Sequence, residues 1–184
     1  METRTEAAMR EKLVVLAAPA VQRTVERLTH QILEPNGASD RLVLVGIRRG
    51  GENLTRRIVA EIKKRTGITV AAGFLNINLY RDDAARPDLP DSDIHADVNG
   101  REVVLVDDVL FTGRTVRAAL DALIDRGRPD AIRLCVMADR GIRDLPIQAD
   151  YIGRFVPTSR AERIVVHLRP EPDESDRIVI CERA

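Results

Sequence analysis

Residues 102–115, EVVLVDDVLFTGRT, constrain the fold more than any other stretch of this 184-residue chain. A continuous apolar run ends in two acids, crosses a short loop and reaches Thr-Gly-Arg-Thr ahead of an amphipathic segment. That pattern reads as a buried parallel strand feeding a helix. Open α/β folds place their ligands at the carboxyl edge of such strands. There Asp107 and Asp108 offer acceptors for sugar hydroxyls or for a hydrated divalent cation. Thr112, Gly113, Arg114 and Thr115 add hydroxyls, backbone N–H groups and a helix N-terminus, the parts of an anion cradle. A ligand carrying both a polyol and a phosphate, such as a phosphorylated ribose, suits the two halves together. The rival reading, a Walker B strand, requires a G-x-x-x-x-G-K-[ST] loop, and the chain has none. Neighbouring side chains on an extended strand point to opposite sides, so the two acids are expected to converge only if the strand has ended there.

The alternation of strand and helix extends along the chain. Residues 1–12 read as a mobile leader. Pro19 opens a helix with Val21, Val25, Leu28 and Ile32 on one stripe, and Pro35-Asn36-Gly37 stops it. RLVLVGI (41–47) is strand-like; Leu54, Ile58 and Ile62 mark a second helix closed by Gly67. Residues 68–80 are strand-like, with Leu75, Ile77 and Leu79 alternating. Residues 82–100 are polar, rich in Asp and Pro and without period, as expected of a functional or disordered loop. Strand 102–107, helix 114–126 and strand 131–137 form a further βαβ unit, and short strands at 164–168 and 177–181 finish the chain. The expected fold is a single α/β domain over residues 1–184, doubly wound on a mainly parallel sheet.

Twenty-nine basic and 29 acidic residues cancel, which argues against bulk polyanion binding while leaving room for a local basic face. Aromatic content of 3%, with no Trp, disfavours a stacking platform for nucleic acid. Cys135 and Cys181 make no disulfide framework, and Cys135 in the run IRLCVMA reads as an inert buried thiol. The N-terminus lacks the apolar region of a signal peptide, and no stretch approaches the ~20 apolar residues of a membrane span, so a cytoplasmic protein without membrane contact is expected.

The segment VVLVDDVLFTGRT resembles the phosphoribosyl pyrophosphate (PRPP) signature of type I phosphoribosyltransferases. NLYRDD (78–83), VRAALDALIDRGRP (116–129), ADRGIRDLPIQADYIG (138–153) and VPTSRAE (156–162) narrow the resemblance to the PyrR family, bifunctional pyrimidine-operon attenuators and uracil phosphoribosyltransferases. It runs from about residue 21 to 166. The resemblance implies a small hood over a base site, the reaction uracil + PRPP → UMP + diphosphate, and Mg²⁺ bound mainly through PRPP, with Asp107 or Asp108 as a further ligand. It implies that residues 107–115, including Val109, Leu110 and Phe111, hold the ribose and phosphate. Arg48, Arg49 and Gly50 belong by the same resemblance to a pyrophosphate loop, and Arg81 to the root of a closing lid. Asp139, Arg140 and Ile164 are implied at the base pocket, Arg140 lying against the base. The family pattern Gly-Ile-x-Thr-Arg-Gly appears here as Gly-Ile-Arg-Arg-Gly-Gly, so the positive charge is shifted by one residue. If Arg49 points elsewhere, the enzyme is expected to be slow and Gly50→Arg to raise its activity.

The family also binds leader RNA through a basic face that includes its first helix. At 100° per residue from Val21, the apolar stripe lies between about −20° and +40°, whereas Arg23, Arg27 and His30 fall between about 180° and 240°. With Arg154 they are the candidate contacts for pyrimidine-operon leader mRNA. Glu26 opposes them, standing where the family carries Thr. The expected partners are PRPP, uracil, UMP and that mRNA, and the expected assembly is a homodimer or higher homo-oligomer. Two alternatives stay open: a phosphoribosyltransferase for uracil or another base without an RNA role, and an RNA-binding regulator with vestigial catalysis.

Overall fold

The computed structural model describes residues 9–81 and 89–183. Five parallel strands form the central sheet in the order β3 (Ala71–Leu75), β2 (Leu42–Ile47), β4 (Glu102–Leu110), β5 (Ala131–Asp139) and β6 (Tyr151–Phe155). Helices α1 (Ala18–Asn36) and α2 (Gly50–Thr66) share one hydrophobic core with the strands; Val21, Leu28, Leu54 and Ile58 belong to it and are fully buried. Helix α3 (Arg114–Ile124) buries Val116, Ala119 and Leu123 in a second core with Val45 and Leu105. The sheet is therefore doubly wound, as expected from the alternation of strand and helix. A second, antiparallel sheet of β1 (Met9–Ala17), β8 (Arg177–Arg183) and β7 (Arg163–His167) packs Ile164, Ile178 and Ile180 onto the first core.

The stop signals act where expected. Pro19 lies in the first turn of α1, and Gly67 closes α2 in the left-handed region at φ 75° with its N–H on the Lys63 carbonyl. Four expectations change. Residues 9–12, assigned to a mobile leader, open β1 and pair with β8; residues 1–8 lie outside the described set. Strand 68–80 ends at Leu75, where the Asn76 amide donates to the carbonyls of Leu89 and Pro90, so the chain turns and Leu79 stands 95% exposed. The loop 82–100 is pinned along its second half: Asp93 pairs with Phe74 and Val98 is buried; residues 82–88 lie outside the described set. Tyr151–Phe155 is a strand that hydrophobic pattern does not reveal. A Cβ at its Gly153 would lie 2.4 Å from the Met137 carbonyl oxygen, so only glycine lets β6 approach β5.

The segment between β7 and β8 is joined to α2 by a buried ion pair that also reaches α1. Arg57 on α2 bonds Asp176 at 2.7 Å, with both side chains at most 3% exposed, and also reaches Gln22 on α1. Asp176→Ala is expected to cost about 3–5 kcal/mol of unfolding free energy, because it leaves a buried guanidinium unpaired. Urea denaturation measures this; a loss no larger than that of an exposed pair would show that water reaches Arg57. Burial pushes the Cys135 thiol up to about 12, in line with an inert side chain.

Candidate active site

Strand β4 runs to Leu110, past the expected end at residue 107, so the two acids converge without the strand ending there. Asp107 is 5% exposed and Asp108 partly exposed, and the Asp108 N–H donates to Asp107 Oδ1 at 3.0 Å. Convergence comes from across the site. A Cβ on Gly50 would lie 2.3 Å from Asp108 Oδ1 and 2.9 Å from Asp107 Oδ1, so both carboxylates crowd the Gly50 backbone at the start of α2. At Gly51 a Cβ would lie 1.9 Å from the Val106 carbonyl oxygen. The paired glycines let the β2–α2 loop close against the acids.

Gly113 precedes α3 at φ 91°, and the Arg117 N–H donates to its carbonyl at 2.9 Å. The first N–H groups of a helix have no partner within it, so the 112–115 turn presents donors and the positive end of the dipole. Thr112 and Thr115 are half-buried and Arg114 is exposed, 3.5 Å from Asp144. Arg160 bonds the same carboxylate at 2.8 Å and holds its pKa below the usual range. Leu110 is buried, Val109 packs against the first core, and Ile164 is a buried member of that core. Ile164, expected at the base pocket, is carried by β7 of the antiparallel sheet.

Two expected ligands are turned into the fold. Arg48 pairs with Glu52 one helical turn on and lies 5.4 Å from the Phe74 ring centroid, leaving its side chain 11% exposed. Charge in this loop at the surface comes from the exposed Arg49, after a cis Arg48–Arg49 peptide. Arg140 donates to Thr158 Oγ1 and to the carbonyls of Ser159 and Glu162, and stacks 3.8 Å from the Phe111 ring centroid. Burial lowers its pKa. The 158–162 turn and the Phe111 ring thus hold the guanidinium of Arg140, the residue expected against the base.

Arg81 follows the turn Asn78–Tyr80, whose Tyr80 hydroxyl donates to Asp125 at 2.6 Å while Arg117 donates to the Tyr80 carbonyl at 3.1 Å. The root of the loop is thereby fastened to α3. Asp139 is buried and accepts from the Gly141 N–H and from Arg143. Arg143 was not among the sequence candidates. Its guanidinium also donates to the carbonyls of Phe111, Ile142 and Ile147, and the segment DRGIRDLPI is the only sequence signal for it.

On the other face, Arg23, Arg27 and His30 are exposed on α1, as the helical spacing predicts. Arg27 donates to the carbonyls of Ile152 and Gly153 in β6, next to the exposed Arg154. Glu26 accepts from the Gln22 amide at 2.9 Å. A cavity of about 440 Å³ between α2 and the β7–β8 hairpin, lined by Asn53, His167, Arg169 and Arg177 among others, contains none of the sequence-predicted site residues. Among the described residues, no helix is long and apolar enough to cross a membrane.

Comparison with known proteins gives a consistent picture. The family model of the phosphoribosyl transferase domain matches residues 14–174. The chain is 49% identical over 179 residues to the bifunctional protein PyrR of Pelotomaculum thermopropionicum, covering 95% of this chain and 98% of that one. It is 43% identical over 180 residues to that of Bacillus subtilis, covering 95% and 99%. In fold it is similar to the hypoxanthine phosphoribosyltransferase of Trypanosoma cruzi, with a TM-score of 0.71 at 17% identity, covering 95% of this chain and 98% of that one.

Proposed function

This chain belongs to the phosphoribosyl transferase family, among its PyrR proteins, and on that footing we propose that it converts uracil and PRPP to UMP and diphosphate and binds pyrimidine-operon leader mRNA in a UMP-dependent manner. The observation that carries the catalytic half is the meeting of Asp107 and Asp108 with the Gly50-Gly51 loop, beside the glycine-started turn 112–115. In our reading the turn holds the 5′-phosphate and the carboxylates hold the ribose hydroxyls. Arg49 and Arg81 face the diphosphate. Positioning and electrostatic stabilisation of the leaving group supply most of the rate.

Two converging carboxylates suit Mg²⁺, which is commonly held by one or two carboxylates together with substrate phosphates and water. When bound it would neutralise charge on the diphosphate, with Asp107 or Asp108 as its protein ligand. The pair Arg48–Glu52 favours a second reading, a UMP-sensing regulator with slow turnover. Assay of UMP formation from uracil beside nucleotide formation from hypoxanthine tests the proposal. Equal use of both bases, or none of uracil, would overturn it.

The RNA half rests on Arg23, Arg27, His30 and Arg154 lying where α1 meets β6. The species proposed to bind is a cytoplasmic homodimer or higher homo-oligomer. Leader RNA affinity is expected to fall steeply with salt, and Arg23→Ala to make the slope shallower by about 0.7–0.9 through loss of one phosphate contact. Glu26→Thr is expected to tighten RNA binding while leaving UMP affinity unchanged. If UMP strengthens RNA binding, RNA must strengthen UMP binding by the same factor. Titrations at several salt concentrations, with and without UMP, measure all three effects; RNA affinity indifferent to UMP and to Arg23 would leave an enzyme alone.

A further inference from the structure

Two loops make the candidate site on this reading: the turn after β4, which cradles phosphate, and residues 140–147 after β5, beside the base. Backbone bonds join them in part. The Arg140 N–H donates to the Leu110 carbonyl, and the N–H groups of Asp144 and Leu145 both donate to the Thr112 carbonyl at 3.0 and 3.1 Å. The carbonyls of Phe111, Ile142 and Ile147 are met by one side chain. Arg143 Nη1 donates to the first two at 3.0 Å each and Nε to the third at 2.7 Å. Its Nη2 is held at 2.6 Å by Asp139 Oδ2, and the other oxygen of that carboxylate accepts from the Gly141 N–H.

We infer that Arg143 is a positioning residue for the phosphoribosyl transfer, fixing the base loop and the phosphate cradle in one relative placement, and that Asp139 acts through it rather than on the base. The inference rests on the function proposed above. Asp139 neutralises the guanidinium, so Arg143 adds no net charge for an anion and its contribution is geometric. A planar fork meets acceptors spread around its edge. An ammonium on a flexible stem keeps the charge and the Asp139 contact but cannot span the three carbonyls. Since the acceptors come from both loops, losing the fork disturbs both substrates. A residue serving the base pocket alone would affect uracil alone.

The test compares wild-type protein with Arg143→Ala and Arg143→Lys. KM for uracil and KM for PRPP are both expected to rise about tenfold or more in Arg143→Ala, since small misplacement of bound groups carries large penalties. Arg143→Lys should recover little. Millimolar guanidinium should restore UMP affinity to the Ala variant where equal sodium chloride does not, because the site is 23% exposed and can admit it. A side chain that only stabilises the fold would lower the active fraction without moving either KM. If Arg143→Ala does not fold, Arg143→Lys carries the same comparison. Amide hydrogen exchange supplies a readout independent of turnover: residues 111–115 and 140–147 should both exchange faster in the variant. Unchanged exchange in either loop, a rise in KM for uracil alone, or full recovery by Lys would overturn the inference. Failure of the wild-type protein to use uracil overturns the proposed function instead.

Discussion

Gly113→Val is expected to abolish binding of both UMP and PRPP. Gly113 holds φ 91°, where a β-branched residue is strained by about 1–3 kcal/mol whatever the space around it. A Cβ there would also stand 3.3 Å from Ile147 Cβ and 3.4 Å from Leu145 Cβ, leaving no room for the two methyl groups beyond it. Relief requires the 112–115 turn and the base loop to part, which removes the donors for phosphate and the bonds of Asp144 and Leu145 to Thr112 together. Gly113→Ala carries the backbone strain with little of the collision and should fall between. Calorimetry with UMP measures both, and undiminished affinity in the valine variant would remove phosphate binding from this turn.

Gly50→Arg is the second large effect, and its direction is the reverse of what the family pattern implies. Restoring an arginine to position 50 looks like a repair of the displaced charge. The first carbon of any side chain there, however, falls 2.3 Å from Asp108 Oδ1 and 2.6 Å from its Cγ, with Asp107 Oδ1 at 2.9 Å. An aspartate is too short to swing clear without leaving its place in the site. Turnover of uracil and PRPP is expected to be lost, and Gly50→Ala should already show a large part of the loss. Activity equal to or above wild type in Gly50→Arg would mean that the carboxylates do not act from where they stand.

Elements whose pattern is local were legible in the sequence. The apolar run of β4 ending in two acids, the stripe of α1 and the glycine closing α2 need only near neighbours to be recognised. Strand β1 was not, because its side chains are largely exposed and its pairing with β8 joins opposite ends of the chain. Strand β6 hides behind Gly153 and Arg154, residues that suit an edge and not a pattern. The same limit governs the site. The glycines and acids were identifiable from chemistry that only they provide. Arginines are abundant, and nothing in their spacing tells Arg48 from Arg49, or Arg140 from Arg143. Which arginine meets a ligand and which is taken by Glu52 or by the 158–162 turn depends on acceptors that only folding brings near.

The contact of Arg27 with β6 has a colloidal consequence. β6 ends the five-stranded sheet, and an open strand edge is a template for another chain, a hazard that proteins commonly counter with charge. Arg27 donates to two successive carbonyls of this end strand and sets its charge against it, so a side chain proposed to meet RNA also guards the sheet against illegitimate pairing. Natural drift toward weaker RNA binding would then be easier at Arg23 than at Arg27. A lineage that abandoned attenuation should keep a bulky cation at position 27 while letting position 23 wander.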